Sequence, residues 1–185
     1  MKHKGTKIIR TERLLLRPFR IGDAEVMFGN WANDPEVTKY LTWTPHGSVE
    51  ATRALLTLWE EESKKENVYH WAIEFEGELI GDISVEAVDD RCESGVIGYC
   101  TAKKCWGKGI MTEALGAVLK YCFEEVEFHR LSAMHSAENP ASGRVMEKCG
   151  LVYEGTQRDG FKLFSTGKRT DIICRAILGQ DYLNK

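Results

Sequence analysis

Between Tyr99 and Ala114 the chain sets three lysines, Lys103, Lys104 and Lys108, around two glycines, Gly107 and Gly109, and then enters a helical pattern at Ile110. Glycine lets backbone approach a ligand closely, and the first amides of a helix point outward with the positive end of the helix dipole behind them. A basic glycine loop that opens a helix is therefore a socket for a diphosphate, with the sign as well as the shape for it. Two better-known phosphate motifs fail on these residues. The dinucleotide fingerprint G-x-G-x-x-G has Thr112 where its third glycine belongs, and the Walker run G-x-x-x-x-G-K-[ST] does not occur. A glycine pair that only starts a helix is the plainer reading of the same segment.

A second constellation runs from Glu138 to Leu151, where Asn139 before Pro140 is the cap and first-turn pair of a helix start. Capping alone explains Asn139. The chemical alternative is that Asn139 and Ser142, one turn apart, present a polar edge to whatever lies against the phosphate-binding strand. Candidate bases follow from position: Glu86 and Glu93 on or beside the central strands, and Asp159 after the strand that follows this helix. Each also reads as a solvated strand-end carboxylate, and His135 as a satisfied core histidine.

The elements that must hold these residues follow from periodicity. Residues 7–19 read as a first strand ending at Pro18, and Asp23 as the cap of a helical stretch reaching Trp31 or Ala32. Ser48, then Ala51, Ala54, Leu55, Leu58 and Trp59, give a second helix. Strands over 69–76 and 78–88 join at Glu76-Gly77-Glu78 as a hairpin, and residues 95–101 form the next strand. From Ile110 to Val126 apolar residues recur in steps of three and four, the mark of a helix buried along one stripe. A strand over 130–136, a helix over about 140–149 closed by Gly150, and strands over 151–157 and 169–178 complete the chain. That order is a mixed α/β domain, not an alternating doubly wound one.

Composition bounds the rest. The 185 residues suit one domain, spanning 1–185 with its core at about 10–178, and contain no linker or internal repeat. The net charge of −3 opposes bulk affinity for nucleic acid, and no apolar run approaches the ~20 residues of a membrane span. The basic opening of the chain has no apolar stretch behind it, so no secretory signal is expected. Six cysteines, Cys92, Cys100, Cys105, Cys122, Cys149 and Cys174, include no C-x-x-C pair and no histidine at ligand spacing. They read as reduced, mostly buried thiols of a cytoplasmic protein, with no metal site.

The two motifs together resemble those of the GNAT superfamily of N-acetyltransferases. The first is similar to its acetyl-CoA loop, Q/R-x-x-G-x-G/A, here Lys104-Cys105-Trp106-Gly107-Lys108-Gly109, with Lys104 where the family has Gln or Arg. The opening Thr11-Glu12-Arg13-Leu14-Leu15-Leu16-Arg17-Pro18, with Asn33-Asp34-Pro35-Glu36-Val37 and Asn139-x-x-Ser142, resembles the branch that acetylates N-terminal amines of ribosomal proteins, the RimJ/RimL type. The resemblance implies a seven-stranded mixed sheet splayed in a V, flanked by about four helices, with acetyl-CoA lodged in the opening. It implies that Tyr99, Cys100 and Thr101 pair their backbone with the pantetheine arm, and that an amide near Tyr99 or Cys100 polarises the thioester carbonyl. It further implies that the amides from Lys104 to Gly109, with those of Ile110, Met111 and Thr112, hold the pyrophosphate and that Asn139 contacts the arm. Ser142 would protonate the departing thiolate, since the tyrosine that other branches place seven residues past the Asn is Met146 here. Glu93 and Asp159 are then candidate bases. Tyr40, Trp43 and Glu86 are candidate acceptor contacts, and Trp31 joins the same aromatic cluster. The implied activity is acetyl transfer to a primary amine, a protein N-terminus or a small molecule, with a homodimer left open. The competing reading is a coenzyme A-binding regulatory domain with little turnover.

Overall fold

The computed structural model describes residues 1–184. One sheet of eight strands runs through it in the order β1-β2-β3-β4-β5-β6-β8-β7, one strand more than the resemblance implies. The extra strand arises at the N-terminus, where β1 (Ile9–Arg10) folds back on β2 (Leu14–Arg17) instead of continuing into it. The cause is local. Thr11 N donates to Leu14 O at 3.0 Å and Leu14 N donates to the Thr11 hydroxyl at 2.9 Å, so the threonine side chain closes a turn inside the expected strand.

β3 (Tyr69–Phe75) and β4 (Glu78–Asp89) form the expected hairpin. Its turn residues Glu76 and Gly77 have φ of 52° and 79°, the left-handed pair that matches the twist of the flanking strands. β5 (Ser94–Thr101) lies antiparallel to β4 and parallel to β6 (Arg130–Ser136). The parallel pairing covers only Ser94–Ile97 against Arg130–Ala133. Beyond it β5 continues on β4 to Thr101, while β6 continues on β8 (Arg169–Leu178) to Ser136, and the two strands part as the V. The edge strand β7 (Val152–Lys162) runs past the expected end at 157, because Arg158-Asp159-Gly160 forms a bulge, with Asp159 at φ 50°, rather than a turn.

Helices cover two faces. On one lie α1 (Ala24–Met27), α2 (Pro35–Thr38) and α3 (Val49–Glu62), the last capped by the Ser48 hydroxyl, which accepts from Ala51 N at 3.2 Å. A 3₁₀ turn at Ile21–Asp23 leads into α1, and a π turn over Phe28–Ala32 extends it. Asp23 holds the N-cap position of α1 as expected, but its side chain makes no cap bond to that helix. Its carboxylate accepts Arg20 N at 2.8 Å and both Arg17 Nη atoms at 2.7 and 2.8 Å, because the buried Arg17 guanidinium needs counter-charge and takes Asp23 and Glu74 as partners. On the other face lie α4 (Ile110–Lys120), widened into a π turn over Tyr121–Val126, and α5 (Pro140–Lys148). A short α6 (Gly179–Leu183), not foreseen, follows β8.

Two cores result. Leu16, Trp71, Ile83 and Ile97 meet Leu115 and Leu119 of α4 in the first, and Met27, Trp31, Leu56 and Ala72 form the second under α1 and α3. Alternation along β5 sends the half-buried Tyr99 to the first and Cys100 to the second, so the strand that lines the V serves both faces. No disulfide joins the six cysteines; Cys105 and Cys122 are buried, Cys92 is exposed and the other three are half-buried. Among the described residues no helix is long and apolar enough to cross a membrane.

Candidate active site

The opening of the V exposes a backbone edge. Ala102 N donates to Ile80 O at 2.7 Å, so in the antiparallel register the pairs Cys100/Asp82 and Gly98/Ser84 also exchange their hydrogen bonds. Tyr99 and Thr101, between them, turn their N–H and C=O the other way, toward the space β6 has left. The Thr101 carbonyl is taken by the Trp106 indole, whose Nε1 donates to it at 3.0 Å. Of the two amides expected to polarise the carbonyl, that of Tyr99 faces the opening and that of Cys100 faces Asp82.

The cradle lies at the end of β5. After a 3₁₀ turn at Lys103–Cys105, Gly107 and Gly109 both have φ of 75°, a conformation that disfavours any side chain. No atom lies within 4 Å of where a Cβ on Gly107 would sit, so the loop is open there. Gly109 caps α4 without a side-chain partner, and the first intrahelical bond runs from Glu113 N to Gly109 O at 3.0 Å. The amides of Ile110, Met111 and Thr112 precede it and form the outward-facing helix start that a diphosphate needs. The Ile110 and Met111 side chains are buried in the first core, as is Cys105, so these residues offer backbone only.

Lys104 does not serve the cradle as a free charge: it pairs with Glu78, which also accepts from Asn30. Lys103 and Lys108 stay exposed. Arg13 is the residue the motif reading missed. Its Nη1 donates to Lys108 O at 3.1 Å, its Nε to Glu113 at 2.6 Å and its backbone N to Glu113 at 2.9 Å, while the Thr11 hydroxyl donates to the same carboxylate at 2.5 Å. Burial pushes the Glu113 carboxyl up, yet these hydrogen bonds prevail and hold it below the usual range. The β1–β2 turn therefore braces the glycine loop from behind. Thr11 and Arg13 belong to the opening run quoted for the resemblance, but only the fold shows whom they touch.

Tyr99 and Ser142 are brought together. The Tyr99 hydroxyl donates to Ser142 O at 3.0 Å and lies 3.0 Å from Ser142 Oγ, and Asn139 Oδ1 accepts from Ser142 N at 3.4 Å. Burial pushes the Tyr99 phenol up, so it remains a proton donor. Asn139 acts as the helix cap, the plainer of its two readings. His135, half-buried beneath α5, is not the satisfied core histidine expected: its Nδ1 lies 2.9 Å from Ser136 O, but its Nε2 is buried without a hydrogen bond, 2.6 Å from where a Cβ on Gly143 would stand.

The proposed bases separate. Glu93 lies in the β4–β5 turn, at the end of β5 opposite the cradle, and pairs with the N-terminal ammonium at 3.2 Å. Six residues of strand, ~20 Å, divide it from Tyr99, too far for its carboxylate to meet the Tyr99–Ser142 pair. Asp159 stands in the β7 bulge, its N–H donating to Asp171 at 2.9 Å, on an exposed hairpin near the mouth of the V. Glu86 lies on β4 toward α3, accepting from the Ser84 hydroxyl at 2.9 Å. Trp31 is fully buried in the second core and leaves the acceptor set. Tyr40 and Trp43 remain in the loop over 39–47, with Trp43 packed against the second core and 5.3 Å from the His46 ring. That loop meets the β7–β8 tip where the Ser165 hydroxyl donates to Lys39 O at 3.1 Å.

Cys100 donates its thiol hydrogen to Asp82 at 2.9 Å, and burial together with that carboxylate pushes the thiol well above its ordinary range. Burial also pushes the Cys105 thiol up. Neither thiol has the lowered range of a reactive cysteine.

The model of the Acetyltransferase (GNAT) domain matches residues 13–152. An uncharacterized N-acetyltransferase, p20, of Bacillus licheniformis is 30% identical over 174 residues, 93% of this chain and 96% of that one. The [ribosomal protein uS5]-alanine N-acetyltransferase of Escherichia coli is 26% identical over 182 residues, 94% of this chain and 92% of its own. The crystal structure of a GNAT-family acetyltransferase from Bacillus anthracis superposes with a TM-score of 0.81 at 30% identity, covering 94% of this chain and 99% of that one. With the domain model covering most of its length and a relative this similar along nearly all of it, the chain belongs to the GNAT family of N-acetyltransferases.

Proposed function

We propose that the protein transfers the acetyl group of acetyl-CoA to the α-amine of a polypeptide N-terminus. The observation that carries the reading is the Tyr99–Ser142 hydroxyl pair beside the free Tyr99 amide. In this reading the amide polarises the thioester carbonyl, Ser142 Oγ gives its proton to the departing sulfur, and the Tyr99 phenol replaces it. The residues fit the donor because the cradle is left open at Gly107 and α4 begins without a side-chain cap. The amine is supported by energetics and by the uS5-alanine relative. Deprotonating an α-amine of pKa about 7.7 at pH 7 costs ~1 kcal/mol, against ~4.6 for a lysine of pKa about 10.4. The first can be met by a weak base, and the second needs a strong one.

The six cysteines, none of them in a disulfide, fit a reducing cytoplasm, and the edge strand β7, with Val152 65% and Tyr153 53% exposed, is the face we assign to a homodimer. Thiol release from acetyl-CoA should be followed with a peptide bearing a free N-terminal alanine, an N-blocked peptide carrying one lysine, and spermidine. Release with the first alone is the expected result. Equal release with the lysine peptide refutes the α-amine assignment, and acetyl-CoA binding without release from any amine supports the competing reading, a coenzyme A-binding domain.

A further inference from the structure

Asp82 stands apart from the other shielded carboxylates of the chain. Among the described residues, four ion-paired carboxylates have side chains less than a quarter exposed: Asp23 at 12%, Asp82 at 16%, Glu113 at 19% and Glu74 at 23%. Three of them face an arginine, as a shielded charge ordinarily must. Asp82 has only His70, whose Nε2 lies 3.0 Å from its Oδ2, and the Cys100 thiol, 2.9 Å from its Oδ1. Both contacts hold the carboxylate in place, and among the described residues no arginine or lysine pairs with it.

Its location gives that charge a use. Asp82 sits directly opposite Cys100 in the β4/β5 register, one strand spacing, ~5 Å, from the backbone that lines the V. It points to the face of α1 and α3, on which Trp43 shares the second core with Cys100. Tyr99 and Ser142 occupy the other face. Ser84 and Glu86 continue the same row of oxygens along β4 toward solvent.

We propose that Asp82 receives the ammonium group of the acceptor amine and takes its first proton, with His70 and Cys100 as positioning residues that hold the carboxylate. The proposal rests on the acetyltransferase reading given above. Two protons leave nitrogen in the full reaction. Asp82 takes one, freeing the lone pair that forms the N–C bond, and releases it to water on the Glu86 side. The other leaves nitrogen as the C–S bond breaks, the electron pair of that bond going to sulfur, and passes through water to the Tyr99 oxygen, which has replaced the proton that Ser142 gives to sulfur.

The test compares wild type with Asp82→Asn, which keeps the shape and removes the charge. Acetyl-CoA affinity is read by calorimetry, and kcat/KM is read for two acceptors, a peptide with N-terminal alanine and p-toluidine, an arylamine already neutral at pH 7. The expected result is a peptide kcat/KM lower by about 100-fold, an arylamine kcat/KM lower by less than about fivefold, and an acetyl-CoA Kd unchanged within about twofold. Peptide activity equal to wild type, or an equal loss for both amines, overturns the proposal while leaving the acetyltransferase reading intact. A wild type that binds acetyl-CoA and acetylates neither amine overturns both. If Asp82→Asn does not fold, Cys100→Val and Cys100→Ser take its place: the valine should lower the peptide rate by about tenfold and the serine, which still donates to Asp82, should restore it. Equal rates for these two variants refute the assignment.

Discussion

Replacing Arg13 by Ala tests whether the cradle is built by the loop alone or by the N-terminal turn behind it. Arg13 donates to Lys108 O and to Glu113, and Glu113, 19% exposed, has only Thr11 as its other partner. Without Arg13 a negative charge is left one helical turn past the start of α4, facing the diphosphate that the loop is shaped to hold. Two unit charges about 8 Å apart at an effective dielectric of about 20 repel by ~2 kcal/mol. Because the Arg13 side chain is 40% exposed, water screens part of this, and about 1–1.5 kcal/mol is the reasonable share. Acetyl-CoA should therefore bind roughly 5–15-fold more weakly to Arg13→Ala by calorimetry, and the loss should shrink as salt is raised. The decisive comparison is the double variant Arg13→Ala/Glu113→Gln, in which the stranded charge is gone and most of the affinity should return. If the double variant binds no better than Arg13→Ala, the effect is loop geometry and not charge. If Arg13→Ala binds like wild type, the brace plays no part in the cradle.

Other perturbations separate the remaining roles. Ser142→Ala should lower kcat about 100-fold, the lower end for a general acid because a thiolate leaves readily, with acetyl-CoA affinity preserved; an unchanged kcat removes Ser142 from proton delivery. Gly107→Asp has room for its side chain, so the protein should fold, but a left-handed residue with a negative charge should weaken acetyl-CoA binding by about 10–100-fold, and unchanged affinity by calorimetry contradicts the cradle assignment. Under a mild alkylating agent Cys92 should react first, with Cys100, Cys105 and Cys122 lagging, since burial pushes all three thiols up; mass-mapped labelling of Cys100 ahead of Cys92 contradicts its bond to Asp82.

What could be read in advance and what could not divide along a physical line. The glycine loop, the α4 stripe, the Asn139 cap and the strands over 130–136 and 169–178 are local patterns, fixed by residues a few positions apart, and the chain adopts them. The misses are contacts over long separations. Arg13 and Glu113 are 100 residues apart, and Asp82 meets Cys100 and His70 only because three strands fall into one register. Asp159 and Glu93 attracted notice as acidic residues at strand ends, which is where solvated carboxylates also collect, and nothing local separates the two cases. A carboxylate with no arginine among its fold neighbours is a nonlocal property, so Asp82 carries no signal in sequence.

The same geometry explains why one strand suffices for a reaction with two proton demands. Because side chains alternate across a strand, consecutive residues Tyr99 and Cys100 reach opposite faces of β5. Tyr99 meets Ser142 on the α5 face, where sulfur needs a proton, and Cys100 meets Asp82 on the α3 face, where nitrogen must lose one. The sheet between them keeps the two sets of groups apart, since a carboxylate beside the hydroxyl pair would accept its hydrogen bonds and turn both away from the substrate. A one-residue slip in the β4/β5 register would carry Asp82 to the α5 face and abolish that separation. The pairing of Gly81 with Thr101 guards against such a slip, because any side chain at 81 would stand 2.3 Å from the Cys100 carbonyl oxygen.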